Sequence, residues 1–192
     1  MMDYHFQKGW IELICGSMFA GKSEELIRRI QRIKYAKKKI QAFKPVVDNR
    51  YAIDEIVSHD NNRVKSICIT KASDIIQFLD SDTYAIAIDE VQFLDMGIIE
   101  VAEELADKGI RVILAGLDKD FRGEPFGPMP FLLARAEHIL KLTAICTVCG
   151  GPATRSQRLV NGEEAKYDEP LIILGAKEAY EPRCRHCHKI VK

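Results

Sequence analysis

The chain lacks any apolar run near the roughly 20 residues that a membrane-crossing helix needs, so a helical membrane protein is not expected. It also lacks net charge. Twenty-eight Lys and Arg balance 28 Asp and Glu, so no global field draws it to nucleic acid or to an anionic membrane surface. Met1 to Gly9 is polar and holds no apolar h-region, so no secretory signal is expected and the predicted location is cytoplasmic. In that reducing compartment the six cysteines are not expected to form disulfides. Internal repeats and low-complexity tracts are absent too.

What is present is the composition of a globular protein, 47% hydrophobic and 29% charged over 192 residues. That length fits one large domain, or a medium domain with a small appendage, and needs no external staple. The first two-thirds alternates short apolar runs with helical patterns. Strands are expected at Trp10–Cys15, Lys39–Phe43, Val64–Ile69, Tyr84–Ile88, Arg111–Ala115 and Ile139–Ala144. Helices are expected over Ser23–Lys38, Ala72–Leu79 (capped by Ser73 or Thr70) and Gly97–Lys108, the last stopped by Gly109. Leu117–Pro130 reads as a long ordered loop. This rhythm predicts an α/β fold with a parallel sheet flanked by helices. Turn signals and cysteines dominate beyond Ile145, so a boundary is placed near Thr143, dividing the chain into 1–143 and 144–192. Cys15 and Cys68, alone in apolar runs, read as core residues.

Gly16-Ser17-Met18-Phe19-Ala20-Gly21-Lys22-Ser23 fits the phosphate-binding pattern GxxxxGK[ST] in full. Its glycines let backbone N–H groups turn toward a polyphosphate. Lys22 reaches the outer phosphates, Ser23 ligates Mg²⁺, and the following helix points its positive end at the same anions. Tyr84-Ala85-Ile86-Ala87-Ile88 then supplies a buried strand ending in Asp89-Glu90. At such a strand end Asp89 would orient Mg²⁺ and Glu90 would serve as base. Whether the base activates water or a substrate hydroxyl is not set by these motifs. The basic run from Arg28 to Lys39 reads either as an anion-binding face or as a solvated helix side with cations near its C-terminus.

Cys146/Cys149 and Cys184/Cys187 form two C-x-x-C pairs, the signature of a tetrahedral structural Zn²⁺ site. The 34 intervening residues exceed the usual ribbon spacing of about 15–20. His186 and His188 offer a Cys₃His alternative. Within the insert, Asn161-Gly162 signals a hairpin between Arg155–Val160 and Glu163–Tyr167. Pro170 to Ala176 is apolar, and reads as a lid tied at its base by zinc or as a small packing strand.

Taken in order, several segments resemble the zinc-containing type II thymidine kinases. These are residues 16–29, Ile88 to Phe93, Gly116-Leu117-Asp118 with Phe121, Pro125-Phe126-Gly127, Lys141 to Ala144 with the first cysteine pair, and Gly175 to Tyr180 before Cys184. The resemblance runs from about Gly9 to Cys187. It implies a P-loop α/β domain followed by a zinc domain with a substrate-binding lasso. It implies transfer of the ATP γ-phosphoryl group to the 5′-hydroxyl of thymidine, with deoxyuridine as a further acceptor, in deoxynucleotide salvage. Gly16 to Ser23 would hold the ATP phosphates, with Asp48, Asn49, Arg50, Asp89 and Gln92 lining the same site. Glu90 would be the catalytic base. Phe121, the lasso residues Leu171, Ile172, Ile173, Leu174 and Gly175, and Tyr180 would bind thymidine. A homotetramer inhibited by thymidine triphosphate is also implied. The sequence departs from the family at Ser17 and Ala20, where Pro and Ser are frequent, and at Asp120, where the vertebrate enzymes carry Thr. Two other readings use the same motifs: a nucleic-acid-dependent ATPase with a zinc ribbon, and a non-catalytic zinc-stabilised module.

Overall fold

A computed structural model describes residues 9–46, 55–57, 62–172 and 178–191. In chain order the elements are β1 (Ile11–Gly16), α1 (Lys22–Tyr35), β2 (Ile40–Pro45), β3 (Glu55–Val57), β4 (Arg63–Lys65), β5 (Ile67–Ile69), α2 (Asp74–Phe78) and β6 (Ala85–Ile88). A 3₁₀ turn (Val91–Phe93) precedes α3 (Ile98–Asp107), β7 (Arg111–Gly116), α4 (Met129–Arg135) and β8 (His138–Leu142). Then come β9 (Ala144–Ile145), β10 (Pro152–Ala153), β11 (Arg155–Val160), β12 (Glu163–Glu164) and β13 (Glu178–Arg183).

Six strands form one sheet in the order β5-β2-β6-β7-β1-β8, every pair parallel. Alternation along the strands sends side chains to two cores. Ile11, Leu13, Cys15, Ile86, Ile88, Val112 and Leu114 meet Ile75 of α2, Ile98, Ala102 and Leu105 of α3, and Met129 and Leu132 of α4. On the other face, the Leu26, Ile27, Ile30 and Ile33 stripe of α1 packs on Ile14, Ala42, Ala85, Ala87, Ile113 and Ala115. The alanines make that face shallow, which lets α1 lie close to the sheet. Because α1 starts where β1 ends, its N-terminus sits at the carboxyl edge of the sheet.

Several boundaries differ from the sequence expectation for physical reasons. Helix α1 stops at Tyr35. Lys37 takes φ 57°, and the Lys38 and Lys37 amides donate to the Ile33 and Lys34 carbonyls. This is a Schellman stop without a glycine. The strand expected over Val64–Ile69 is two strands. Arg63–Lys65 pairs antiparallel with Glu55–Val57, and Ile67–Ile69 joins β2 at the edge of the main sheet. Val64 belongs to the α1-side core and Ile69 to the opposite one. Cys68, on this edge strand, is only partly buried, whereas Cys15 is fully buried. The start of α2 is tied by Asp74, whose carboxylate accepts from the Thr70 and Lys71 amides, with no side-chain cap from Ser73. The Gly/Pro-rich stretch after β7 is ordered as expected but ends in a helix, since Pro128 caps α4 and Pro130 occupies its first turn. Strand β8 ends at Leu142, and beyond Thr143 pairing passes to small antiparallel sheets, β10-β9 and β12-β11-β13. The Asn161-Gly162 hairpin forms with φ 53° and 87°, the type I′ signature.

Candidate functional site

Strand β1 delivers the glycine-rich loop. Gly16 has φ 147°, and a Cβ there would lie 2.4 Å from the Leu142 carbonyl oxygen of β8, so no larger residue fits. Gly21, at φ 82°, caps α1 and turns the chain into the helix. Lys22 is buried, and its ammonium donates to the Ser17 carbonyl at 2.9 Å. The loop is anchored from outside the main sheet as well. Ser17 Oγ donates to the Ala153 carbonyl (3.3 Å), and the Met18 amide donates to Ser156 Oγ of β11 (2.9 Å).

Strand β6 lies two strands from β1, and its end meets the loop. Ser23 Oγ donates to Asp89 Oδ2 at 2.9 Å, while Asp89 Oδ1 accepts from the Glu90 amide. Burial pushes the Asp89 carboxyl up to about 7, with repulsion from Glu90 adding to it and Ser23, the Glu90 amide and Lys22 only partly offsetting it. Glu90 itself takes φ 50°, ψ 40°, a left-handed conformation uncommon for a side-chain-bearing residue. Its carboxylate accepts from Gln92 Nε2, and Gln92 Oε1 accepts from the Leu117 amide. A cleft opens between these groups, lined by Met18, Phe19, Lys22, Ser23, Asp89 and Glu90, with Lys44, Glu55 and Leu117 closing its walls. Gly16, Ser17, Ala20 and Gln92 are not among its lining residues. Ser17 and Ala20 face the cysteine-bearing segment, and the Gln92 amide is engaged by Glu90 and Leu117. Asp48, Asn49 and Arg50 lie outside the described residues.

A second cluster gathers residues expected to meet the acceptor. Phe121 is buried in the loop after β7, where Asp120 accepts from the Arg122 and Glu124 amides. The role of Asp120 there is to shape the loop. The Arg158 guanidinium of β11 lies 4.0 Å over the Phe121 ring. It donates to Tyr180 Oη (2.9 Å) and to the Pro170 and Leu171 carbonyls (2.6 Å each). Leu171 and Ile172 are exposed; Ile173, Leu174 and Gly175 lie outside the described residues. Sequence reasoning missed Arg158 and Lys44. Both are cations inside strands, and nothing in the local pattern distinguishes them from solvent-facing residues.

The four cysteines of the two pairs converge. Their Sγ atoms all lie within 4.8 Å of one another, and Cys149 and Cys184 are 3.7 Å apart. A tetrahedral Zn²⁺ with Zn–S of about 2.3 Å sets sulfurs about 3.8 Å apart, so the donor set fits that ion. Neither histidine joins it: His188 Nε2 donates to the Phe121 carbonyl at 2.8 Å. Burial disfavours the Cys146 thiolate, yet hydrogen bonds from the backbone amides of Cys184, Cys149 and Val148 outweigh it and hold the pKa down at about 6. Ala20 of the glycine-rich loop packs on this cluster beside Cys184 and Cys187.

The basic face of α1 is partly engaged. Arg28 and Arg29 both bond Glu25, and Arg29 also pairs with the buried Glu12, so these two cations are engaged by the chain's own carboxylates. A family model described as thymidine kinase matches residues 9–188. Among solved structures, domain III of the replication initiation protein DnaA from Thermotoga maritima aligns with a TM-score of 0.41 at 15% identity. That alignment covers 69% of this chain and 54% of the DnaA chain, about half its length.

Proposed function

The chain belongs to the thymidine kinase family, and from that premise we propose that it transfers the γ-phosphoryl group of ATP to the 5′-hydroxyl of thymidine, giving thymidine monophosphate and ADP. The observation that carries this reading is the Ser23–Asp89 hydrogen bond with Glu90 beside it, at the mouth of the glycine-rich loop. Phosphoryl transfer needs in-line positioning and charge neutralisation more than covalent help. The loop amides and Lys22 meet the phosphates, and Lys22 exchanges its Ser17 carbonyl for phosphate oxygen. Ser23 and Asp89 would hold Mg²⁺, which supplies charge neutralisation on the β- and γ-phosphates. Glu90 accepts the proton of the 5′-hydroxyl, held in place by Gln92 on its far oxygen.

The thymine ring is assigned to the Phe121, Leu171, Tyr180 side. Deoxyuridine, which lacks only the 5-methyl group, is proposed as a further acceptor. Zn²⁺ on Cys146, Cys149, Cys184 and Cys187 has no open position and is structural. A cytoplasmic homotetramer serving deoxynucleotide salvage, inhibited by thymidine triphosphate, completes the proposal. Among the described residues no helix is long and apolar enough to cross a membrane. The test is a panel of nucleosides with ATP and Mg²⁺, scored for ADP. Thymidine-dependent release is expected; release stimulated by DNA and indifferent to thymidine would overturn the proposal in favour of a nucleic-acid-dependent ATPase.

A further inference from the structure

We infer that Arg158 is a positioning residue for the acceptor nucleoside, an inference that rests on the kinase reading above. The guanidinium is fully buried, at 0% exposure. Burying a cation is costly unless its donors are satisfied, and here each nitrogen has a directed partner. Nε serves Tyr180 Oη, one terminal nitrogen the Pro170 carbonyl, and the other the Leu171 carbonyl, while the planar face rests on Phe121. One side chain therefore ties together the loop at Phe121, the 170–171 segment and Tyr180 of β13. Only a planar fork with donors in fixed directions can do this. A lysine ammonium carries a single centre of charge and cannot span the set.

The position of Arg158 on β11 gives the arrangement its meaning. Arg158 sits in register with Tyr180 across the β11–β13 pair. Two residues earlier, Ser156 accepts from the Met18 amide of the phosphate loop. Residues two apart on a strand share a face and are separated by about 7 Å. The same face of one strand thus touches the donor loop and the acceptor cluster. Gln157, between them, points the other way and bonds the Lys189 backbone through both ends of its amide. The distance from the γ-phosphate to the 5′-hydroxyl is then set by a rigid strand, with Arg158 as the acceptor-side peg.

The test varies ATP and thymidine independently for the wild-type holoenzyme and for Arg158→Lys, Arg158→Met and Gln157→Ala. Arg158→Lys keeps the charge and loses the fork. Gln157→Ala loses equally buried hydrogen bonds on the opposite face. The expected result is a thymidine KM raised at least tenfold in both Arg158 variants, an ATP KM within twofold of wild type, and an unchanged thymidine KM in Gln157→Ala. Three results would each overturn the inference: an unchanged thymidine KM in Arg158→Lys, ATP and thymidine KM rising together, or Gln157→Ala raising the thymidine KM as much. Failure of the kinase reading shows separately, in the wild-type protein, as no thymidine-dependent ADP. In that case the same comparison is made with whichever nucleoside the wild-type enzyme accepts.

Discussion

Asp89 and Glu90 are adjacent acids with different burdens. Asp89 is buried against Glu90, and its charged form is disfavoured in the folded protein. An amide of the same shape still accepts from the Glu90 amide and can donate to Ser23 Oγ. Asp89→Asn is therefore expected to raise the thermal midpoint of the nucleotide-free protein by a few degrees, while turnover with ATP and Mg²⁺ falls by roughly 10²-fold or more. Thermal denaturation and initial rates read the two effects. Glu90→Gln separates binding from chemistry. ATP binding, followed by equilibrium dialysis, is expected to stay within twofold, and turnover to drop by about 10²–10⁴-fold. Turnover within a few-fold of the parent would remove Glu90 from the role of base. The glycine-rich loop and the Asp89-Glu90 pair were legible in the sequence because their pattern is local: both are short runs at the end of an apolar strand, and the structure brings them together through Ser23 and Asp89. Gln92 was assigned by resemblance to the nucleotide site, and in the structure its amide bridges Glu90 and Leu117. That pairing depends on a contact with β7's end that no local pattern reports.

Among the elements, β1, α1 and β7 are tied by one buried acid. Glu12 accepts from Trp10 Nε1, Arg29 and Arg111, and the Arg111 guanidinium also lies 5.3 Å over the Trp10 ring. Burial pushes the Glu12 carboxyl up, but the Arg111 hydrogen bond and the charges of Arg111 and Arg29 outweigh it, so the folded pKa lies below the usual 4.5. A depressed folded value means that the contribution is complete above about 4.5 and disappears as pH falls through the lower folded value. Urea denaturation between pH 3 and 7 should show wild-type stability declining in that acid window. Glu12→Gln should be less stable at pH 7, by on the order of 2–4 kcal/mol, with a flatter acid limb. At this scale, legibility followed the type of stop signal. Gly109, at φ 86°, ended α3 as its sequence suggested. Lys37 ended α1 in the same geometry with no glycine to announce it, and helix α4 was hidden by prolines that read as loop.

For the whole molecule, the cysteine cluster and the glycine-rich loop are parts of one packed unit. Ala20 rests on Cys184 and Cys187, Ser17 bonds the Ala153 carbonyl of β10, and the Phe121 carbonyl accepts from His188 just past the last cysteine. Removing Zn²⁺ with a strong chelator is expected to lower the thermal midpoint and to weaken ATP and thymidine binding together. Restoring the ion should recover both. Loss of thymidine binding alone, with ATP affinity unchanged, would contradict the packing of Ala20 on the cluster as a functional link.

The sequence by itself determined the α/β rhythm, the glycine-rich loop, the acidic strand end, the Asn161-Gly162 hairpin and the two C-x-x-C pairs as candidate ligands. Each is written in periodicity or in residues a few positions apart, where backbone sterics and short-range chemistry suffice. Tertiary structure alone decided that the four cysteines, without His186 or His188, form one cluster, that Arg158 is buried beneath Phe121, Tyr180 and the 170–172 segment, that Lys44 lines the cleft beside Lys22 and Asp89, and that Val64 and Ile69 serve opposite cores. Those outcomes depend on which surfaces the sheet brings together. A cation in a strand carries the same local signature whether it meets water or three segments of the same chain.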